Sequence, residues 1–146
     1  MLETALLTDP ATRRLFGQVC AANELPEHIE QRPALYIVNT DPTPLPGTHW
    51  IAMYFGNGPA EYFDSLAADP QREFQTFLSK NSPNGYLVNT KRVQSYESDT
   101  CGHFCLYFAY FRSRDIPMDM IVHSFTSDFA YNDCMVRDFV SKMYKL

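Results

Sequence analysis

The sequence predicts an α+β fold in which helices pack on the faces of a mixed central sheet that contains an antiparallel hairpin. Residues 50 to 55 are apolar on both faces, as in a strand inside a sheet, and the turn signal Gly56-Asn57-Gly58 follows them. Residues 100 to 112 are rich in aromatic side chains and apolar nearly all round, which is typical of a central helix. The chain has 146 residues and is 45% hydrophobic, so we expect a single domain over residues 1–146.

The elements of the first half follow from capping residues, prolines and strand formers. Asp9-Pro10 indicates a helix N-cap followed by proline, and we expect a short helix there that ends near Gly17. Residues 24–33 are polar and proline-bounded, which indicates a loop. Residues 34–39 are predicted to form a strand because they are aromatic and β-branched. Residues 41–47 contain three prolines, each without a backbone donor, and are predicted to form an irregular loop.

The elements of the second half are predicted in the same way. Residues 61–64 form the strand that returns from the hairpin turn. Asp69-Pro70 repeats the cap-plus-proline pattern and predicts the start of a helix. Residues 85–89 are expected to form a short strand. An apolar stripe from residue 135 to 143 predicts a last helix, which we expect to begin after a cap at Asn132 or Asp133.

Charge and apolar patterning argue against several classes of partner. The formal net charge is -5, so the chain as a whole has no electrostatic attraction for nucleic acid. Its longest apolar run, residues 104 to 111, is too short to span a bilayer, and we expect no membrane partner. Because the first residues lack the pattern of a signal peptide, the cysteines at positions 20, 101, 105 and 134 are expected to be thiols in a reducing compartment.

The hairpin brings a histidine and a carboxylate to the same end of two adjacent strands. A turn centred between residues 56 and 57 places His49 opposite Asp64, whereas a turn centred on Asn57 places it opposite Ser65. Directly opposed Cβ atoms lie roughly 4.5–5.5 Å apart, close enough for an imidazole and a carboxylate to share a hydrogen bond. Such a bond fixes the tautomer of a catalytic histidine. Taken singly, each residue is better explained as an ordinary surface or turn residue.

Cys101 lies where the apolar helix is predicted to begin. Asp99 or Thr100 can cap this helix, so that free backbone N–H groups favour a thiolate at Cys101. Gly102 would let a substrate backbone approach closely. Cys105, one turn further on, is expected to point into the core. His103 is roughly 200° around the helix from Cys101 and is therefore not expected to act as its base.

The set of residues in this order resembles a known family. His49-Trp50, Asp64 after two aromatic residues, and Gln94 seven positions before Cys101-Gly102 are similar to the adenovirus proteinases, or adenains, and more distantly to Ulp-type cysteine proteases that remove SUMO. The resemblance spans most of the chain and is weakest before residue 30 and after residue 120. Further similarity lies in segments 37–40, 101–105 and 117–119.

The resemblance implies the role of each residue. His49 would be the general base, Asp64 its partner and Cys101 the nucleophile at the N-terminus of the central helix. Gln94, which the sequence pattern alone would place in an exposed loop, would hold the oxyanion together with the Cys101 backbone N–H. Trp50 and Gly102 are expected to contact substrate, although Trp50 could equally belong to the core.

The resemblance also implies substrates and activators. We expect an endopeptidase that cleaves viral precursor proteins near glycine during virion maturation, inside the host cell nucleus or the virion, without a metal. Adenain is activated by DNA and by a viral peptide bonded to a cysteine between the acid and the glutamine. Residues 65–93 contain no cysteine, and the chain is acidic. We therefore expect no such covalent activation and no DNA stimulation, while a non-covalent activating peptide stays open.

Two other functions are compatible with the sequence. A Ulp-like deconjugase of ubiquitin-like modifiers would use the same chemistry, although Ulp-type enzymes usually have one residue fewer between the glutamine and the cysteine. A metal-binding or redox module would use His49, Cys101, His103 and Cys105. The Cys-x-x-x-Cys spacing on a helix suits a closed tetrahedral zinc site poorly.

Overall fold

A computed structural model describes residues 1–41 and 49–145 and confirms the predicted α+β fold. Most of the predicted loop at residues 41–47 lies outside the described residues. No helix among those described is both long and apolar enough to cross a membrane. In chain order the elements are α1 (Leu2–Thr8), α2 (Pro10–Leu15), β1 (Phe16–Ala21), β2 (Ala34–Asn39), β3 (Trp50–Phe55), β4 (Ala60–Phe63), α3 (Arg72–Asn81), β5 (Tyr86–Val88), α4 (Cys101–Arg112), α5 (Met118–His123) and α6 (Phe129–Met143).

The strands of the described residues form one mixed sheet in the order β1-β2-β3-β4-β5. The central pairs β2–β3 and β3–β4 are antiparallel, and the outer pairs β1–β2 and β4–β5 are parallel. Strand β2 is buried along its whole length, and β3 is buried from Ile51 to Phe55. Strands that are covered on both faces have continuous apolar sequences, and for this reason β2 and β3 could be predicted from the sequence.

Alternate residues of the strands feed two cores on opposite faces of the sheet. Leu35 and Ile37 of β2 belong to the larger core, which contains residues of α1, α4, α5 and α6. Tyr36 and Val38 belong to the smaller core, which is closed by three side chains of α3. Those side chains are Phe74, Phe77 and Leu78, as their helical spacing predicts. Helix α4 lies in the larger core with most of its residues buried.

The sequence does not predict α1, β1 or α5. Helices of six or seven residues are too short to show a clear period. Strand β1 is an edge strand that begins with Phe16-Gly17-Gln18, a weak strand pattern, and its pairing with β2 is irregular at this point. A Cβ atom at Gly17 would lie 2.8 Å from the Tyr36 ring and 2.9 Å from the Leu35 carbonyl oxygen. The glycine is therefore required by the close approach of β2.

Two predicted helix starts are wrong. Helix α3 begins at Arg72 with Gln71 as its N-cap, two residues after the Asp69-Pro70 signal. Helix α6 begins at Phe129, and the Asp128 side chain caps it by accepting a hydrogen bond from the Tyr131 N–H. Asn132 and Asp133, which the sequence predicts as caps, lie inside the helix and are buried. They are polar because they bind neighbouring loops, not because the helix starts there.

The register of the hairpin also differs from both predicted alternatives. Residues 56–59 connect the strands, and Met53 pairs with Tyr62, so the turn is centred one half to one residue later than expected. Extended beyond the strands, this register places His49 level with Leu66. Asp64 is then the diagonal neighbour of His49 on the same face, which long side chains can bridge.

Candidate active site

Cys101 is the first residue of α4, as the sequence predicts. Thr100 occupies the N-cap position, although its side chain forms no capping hydrogen bond. The first N–H groups of a helix have no intrahelical acceptor, and the helix dipole is positive at this end. The Trp50 backbone N–H donates a hydrogen bond to Cys101 Sγ over 3.4 Å. The start of α4 and the start of β3 thus meet at the sulfur atom.

His49 lies between Cys101 and Asp64. Its Nε2 atom is 2.6 Å from Asp64 Oδ1, and the ring is close enough to the Cys101 thiol for each of the two groups to shift the pKa of the other. Because Nε2 faces the carboxylate, Nδ1 is the ring nitrogen that remains for the sulfur atom. The structure therefore brings the three residues together in the order acid, imidazole, thiol. They meet through the diagonal register of the hairpin rather than through a directly opposed pair.

The Asp64 carboxylate is buried and held in one orientation. Oδ1 also accepts a hydrogen bond of 2.8 Å from the Leu66 N–H. Asn89, just beyond β5, clamps the backbone of Asp64: its Oδ1 accepts from the Asp64 N–H at 2.9 Å, and its Nδ2 donates to the Asp64 carbonyl at 2.7 Å. Asn89 is not among the site residues that the sequence predicts. An asparagine directly after a short strand is the signal that could have indicated it, since an amide side chain can continue a ladder of backbone hydrogen bonds.

The electrostatics of the site favour a charged pair. Burial by itself would lower the pKa of His49, but hydrogen bonds to Asp64 and Cys101 outweigh burial and raise this pKa to about 9. Burial raises the pKa of the Cys101 thiol, but the His49 and Trp50 hydrogen bonds outweigh it and hold that pKa below its ordinary value. Both shifts favour imidazolium and thiolate over the neutral pair. A thiolate is the nucleophilic form of cysteine.

Gln94 is buried, with 2% of its surface exposed, and is not the exposed loop residue that the sequence pattern suggests. Ser65 holds it from one side: the Ser65 carbonyl accepts from the Gln94 N–H at 3.1 Å, and the Ser65 hydroxyl donates to Gln94 Oε1. On the other side, Gln94 Nε2 donates to the carbonyl and hydroxyl oxygens of Ser98, at 3.2 and 3.0 Å. The orientation of this amide is thus defined, with its NH₂ group on the side of the loop that leads to Cys101.

Gln94, His49 and Cys101 line one cleft. Its volume is about 450 Å³, and Trp50 and the exposed Tyr96 also contribute to its wall. Its remaining lining residues are Leu66, Ser98 and Asp99.

A second cavity of about 380 Å³ lies on the other side of Trp50, and Gly102 and His103 contribute to its wall. A Cβ atom at Gly102 would approach Leu2 Cδ2 to 3.2 Å and Trp50 Cδ1 to 3.8 Å, so Gly102 faces these two side chains. The contacts of Trp50 and Gly102 with substrate stay predictions. His103 lines this cavity and not the cleft that contains Cys101, and its Nδ1 atom has no hydrogen-bond partner among the described residues.

The other cysteines lie in different environments. All four are free thiols. Cys105 is buried one turn after Cys101, and burial raises its thiol pKa well above the ordinary value. Burial also raises the pKa of Cys20, to about 11. Cys134 is exposed. Within residues 1–41 and 49–145, no three histidine, cysteine or acidic side chains are grouped so as to hold a metal ion.

Comparison with known proteins gives no match to a family model and none to a curated protein. Solved structures do match. One structure of ASFV pS273R protease superposes with a TM-score of 0.61 and 16% sequence identity over 86% of this chain and 60% of that chain. A second, selenomethionine structure of the same protease gives a TM-score of 0.54 and 20% identity over 72% of this chain and 44% of that one.

The likeness shows that the chain has the fold of the ASFV protease. The chain spans about half the length of that protease: 44% in one alignment and 60% in the other.

Proposed function

We propose that the protein is a cysteine endopeptidase with Cys101 as nucleophile, His49 as base and acid, and Asp64 as the residue that orients His49. One observation carries the proposal: the Cys101 thiol shares a cleft with an imidazole whose Nε2 atom lies 2.6 Å from a buried carboxylate. Nucleophile, base and orienting group within hydrogen-bond reach are the signature of an activated nucleophile.

The geometry supports a two-step hydrolysis. The Cys101 thiolate attacks the carbonyl carbon of the scissile peptide, and the His49 imidazolium gives its proton to the leaving amine. The carbonyl oxygen becomes an oxyanion that accepts hydrogen bonds from the Gln94 NH₂ group and the Cys101 backbone N–H. A water molecule, deprotonated by His49, then attacks the resulting thioester and releases the acid product and the thiol.

The substrates belong to the same proposal. Viral precursor proteins cleaved near glycine during virion maturation, inside the host nucleus or the virion, are the substrates that the resemblance to adenain implies. The fold likeness to the ASFV protease supports a viral setting. The chemistry needs no metal. The net charge of -5 and the absence of a cysteine between Asp64 and Gln94 support activity without DNA and without a disulfide-bound peptide.

Hydrolysis of a peptide library tests the proposal. Purified protein, without DNA or added peptide, should cleave peptides that contain a Gly-Gly pair, and Cys101→Ala should abolish cleavage. Cys134→Ala is the matched control, because it removes an exposed thiol distant from the cleft lining and should cleave like the wild type. Activity that survives in Cys101→Ala, or its absence from the wild type under reducing conditions, would contradict the proposal.

The same assay separates a maturation protease from a deconjugase. Faster release from a SUMO or ubiquitin fusion than from short peptides would favour a deconjugase. One equivalent of zinc in the purified protein, with no cleavage, would favour a metal-binding module.

A further inference from the structure

Two adjacent polar residues of α6 are buried, and the proposed reaction does not use either of them. Asn132 has no exposed surface and Asp133 has 6%. Burying a carboxylate or an amide is costly unless its hydrogen bonds are satisfied. Their partners therefore indicate what these side chains do.

The Asp133 carboxylate joins two residues of the loop that leads to the nucleophile. Its Oδ1 atom accepts a hydrogen bond from Thr100 Oγ1 at 3.0 Å and another from Ser98 Oγ at 3.2 Å. Thr100 directly precedes Cys101, and it gives its hydroxyl to Asp133 instead of capping α4. Ser98 is the residue that accepts both hydrogen bonds from Gln94 Nε2.

Asn132 holds the other end of the same segment. Its Nδ2 atom donates to the carbonyl of Val93, the residue before Gln94, at 3.0 Å. Thr126 satisfies the rest of the Asn132 amide: its carbonyl accepts from Nδ2 at 2.9 Å, and its N–H and hydroxyl donate to Oδ1. Helix α6 thus holds both ends of the segment from residue 93 to residue 100. One contact lies immediately before Gln94, and the other lies immediately before Cys101.

We propose that Asp133 is a positioning residue for the oxyanion hole and acts on Gln94 through Ser98. This inference rests on the proposed peptidase function. A hydroxyl carries one proton, and the charged carboxylate is its strongest acceptor here. When Ser98 gives its proton to Asp133, its lone pairs face Gln94 Nε2. The carbonyl and hydroxyl oxygens of Ser98 then share one hydrogen of the NH₂ group in a three-centre hydrogen bond, and the second hydrogen is left for the substrate oxyanion.

Loss of the carboxylate acceptor loosens Ser98 and weakens this orientation without removing Gln94 itself, because the Ser98 carbonyl still accepts from Gln94 Nε2. The Ser98 hydroxyl can turn to the Ser95 carbonyl, 3.1 Å away, or to Thr100 Oγ1, 2.9 Å away. The Ser65 hydroxyl still holds Gln94 Oε1. We therefore expect a smaller loss than the roughly 100- to 1000-fold that follows removal of an oxyanion donor.

A double-mutant cycle on the full chain tests the inference. Asp133→Leu, which keeps the branching at Cγ but has no acceptor, should lower kcat about 10-fold and leave KM within about 2-fold, because the loss is in transition-state stabilisation. Asp133→Asn is the matched control, since its amide oxygen can still accept both hydrogen bonds, and it should stay near wild-type kcat. In a Gln94→Ala background, Asp133→Leu should have no further effect. Equal losses in both backgrounds, or wild-type kcat in folded Asp133→Leu, would overturn the inference.

A second readout does not depend on activity. The Gln94 side-chain NH₂ resonances, assigned by their absence in Gln94→Ala, should shift and broaden in Asp133→Leu and in Ser98→Ala, and should stay in place in Asp133→Asn. Ser98→Ala removes the link without emptying the Asp133 site, so it keeps the test open if Asp133→Leu fails to fold. Unchanged resonances in Ser98→Ala would overturn the inference. If the variants show the expected shifts but the wild-type protein cleaves no peptide, the proposed function is overturned and the positioning is not.

Discussion

At the start of α4, one sulfur atom accepts a hydrogen bond from a backbone N–H of a neighbouring strand and shares a cleft with a histidine ring. The histidine is in turn held by Asp64, and Asp64 by Asn89. Each link restricts the next, so the imidazole has one orientation toward the thiol. Preorganisation of this kind is what lets a cysteine act as a nucleophile.

The pKa shifts predict the shape of the pH–activity profile. The His49 imidazolium is lost as the pH rises through about 9, and the Cys101 thiolate is lost as the pH falls through its lowered pKa, so kcat/KM should be bell-shaped. Asp64→Asn should move the alkaline limb to lower pH, because the carboxylate helps to raise the pKa of His49. Asp69→Asn, at an exposed aspartate, is the control.

The profile is measured as kcat/KM for one peptide over the pH range in which the protein is folded. An alkaline limb that stays in place in Asp64→Asn would contradict the His49–Asp64 link. Because the pKa of His49 is raised in the folded protein, protonation of His49 stabilises the fold. This contribution is complete at pH values below the ordinary pKa of histidine. This contribution is lost as the pH rises through about 9.

The positions of the site residues could be predicted from the sequence to different extents. A cap followed by an apolar helix was enough to place Cys101, and the hairpin brought His49 and Asp64 to one end of the strands. Gln94 looks exposed because its burial depends on Ser65 and Ser98, which no local pattern connects to it. The same holds for Asp133, whose partners lie about 35 positions earlier in the chain.

Among the elements, α4 must be held firmly because it carries the nucleophile. The rings of Phe63 on β4 and Phe108 on α4 stack with centroids 4.9 Å apart and an interplanar angle of 5°, and both are fully buried. Asp64 follows Phe63 directly. The stack therefore fixes the distance between the element that carries the thiol and the strand that leads to the acid.

Phe108→Ala should destabilise the protein by about 3–5 kcal/mol, because it leaves a cavity and removes the stack. Urea unfolding gives the free energy of unfolding. Tyr131→Ala, at a position with 58% exposure, is the control and should change it by no more than about 0.5 kcal/mol. A loss for Phe108→Ala as small as that of the control would show that the stack does not hold α4 to the sheet.

Elements buried on both sides could be predicted, and peripheral ones could not. Strands β2 and β3 and helix α4 are apolar because the cores surround them. Strand β1, at the sheet edge, has no such pattern. The start of α6 was misplaced because two aspartates and an asparagine all resemble caps, and only burial separates Asp128, which caps the helix, from the two inside it.

At the scale of the whole molecule, hydrogen bonds connect the sheet to the last helix through the candidate active site. The connection begins just beyond β5 and reaches Asp64. It continues through the adjacent Ser65 to Gln94, and from Gln94 to α6. Its members in order are Asn89, Asp64, Ser65, Gln94, Ser98 and Asp133. The α+β fold thus links the residues that line the cleft to buried partners as far along the chain as position 133.

Thiol alkylation measures whether His49 activates Cys101. With limiting iodoacetamide near neutral pH, mass mapping should show Cys101 modified first, ahead of the exposed Cys134, although Cys101 has only 8% of its surface exposed. His49→Ala should remove this lead, and His103→Ala, the matched control on α4, should preserve it. Modification of Cys134 first, with the same Cys101 rate in the wild type and in His49→Ala, would contradict the activation of Cys101 by His49.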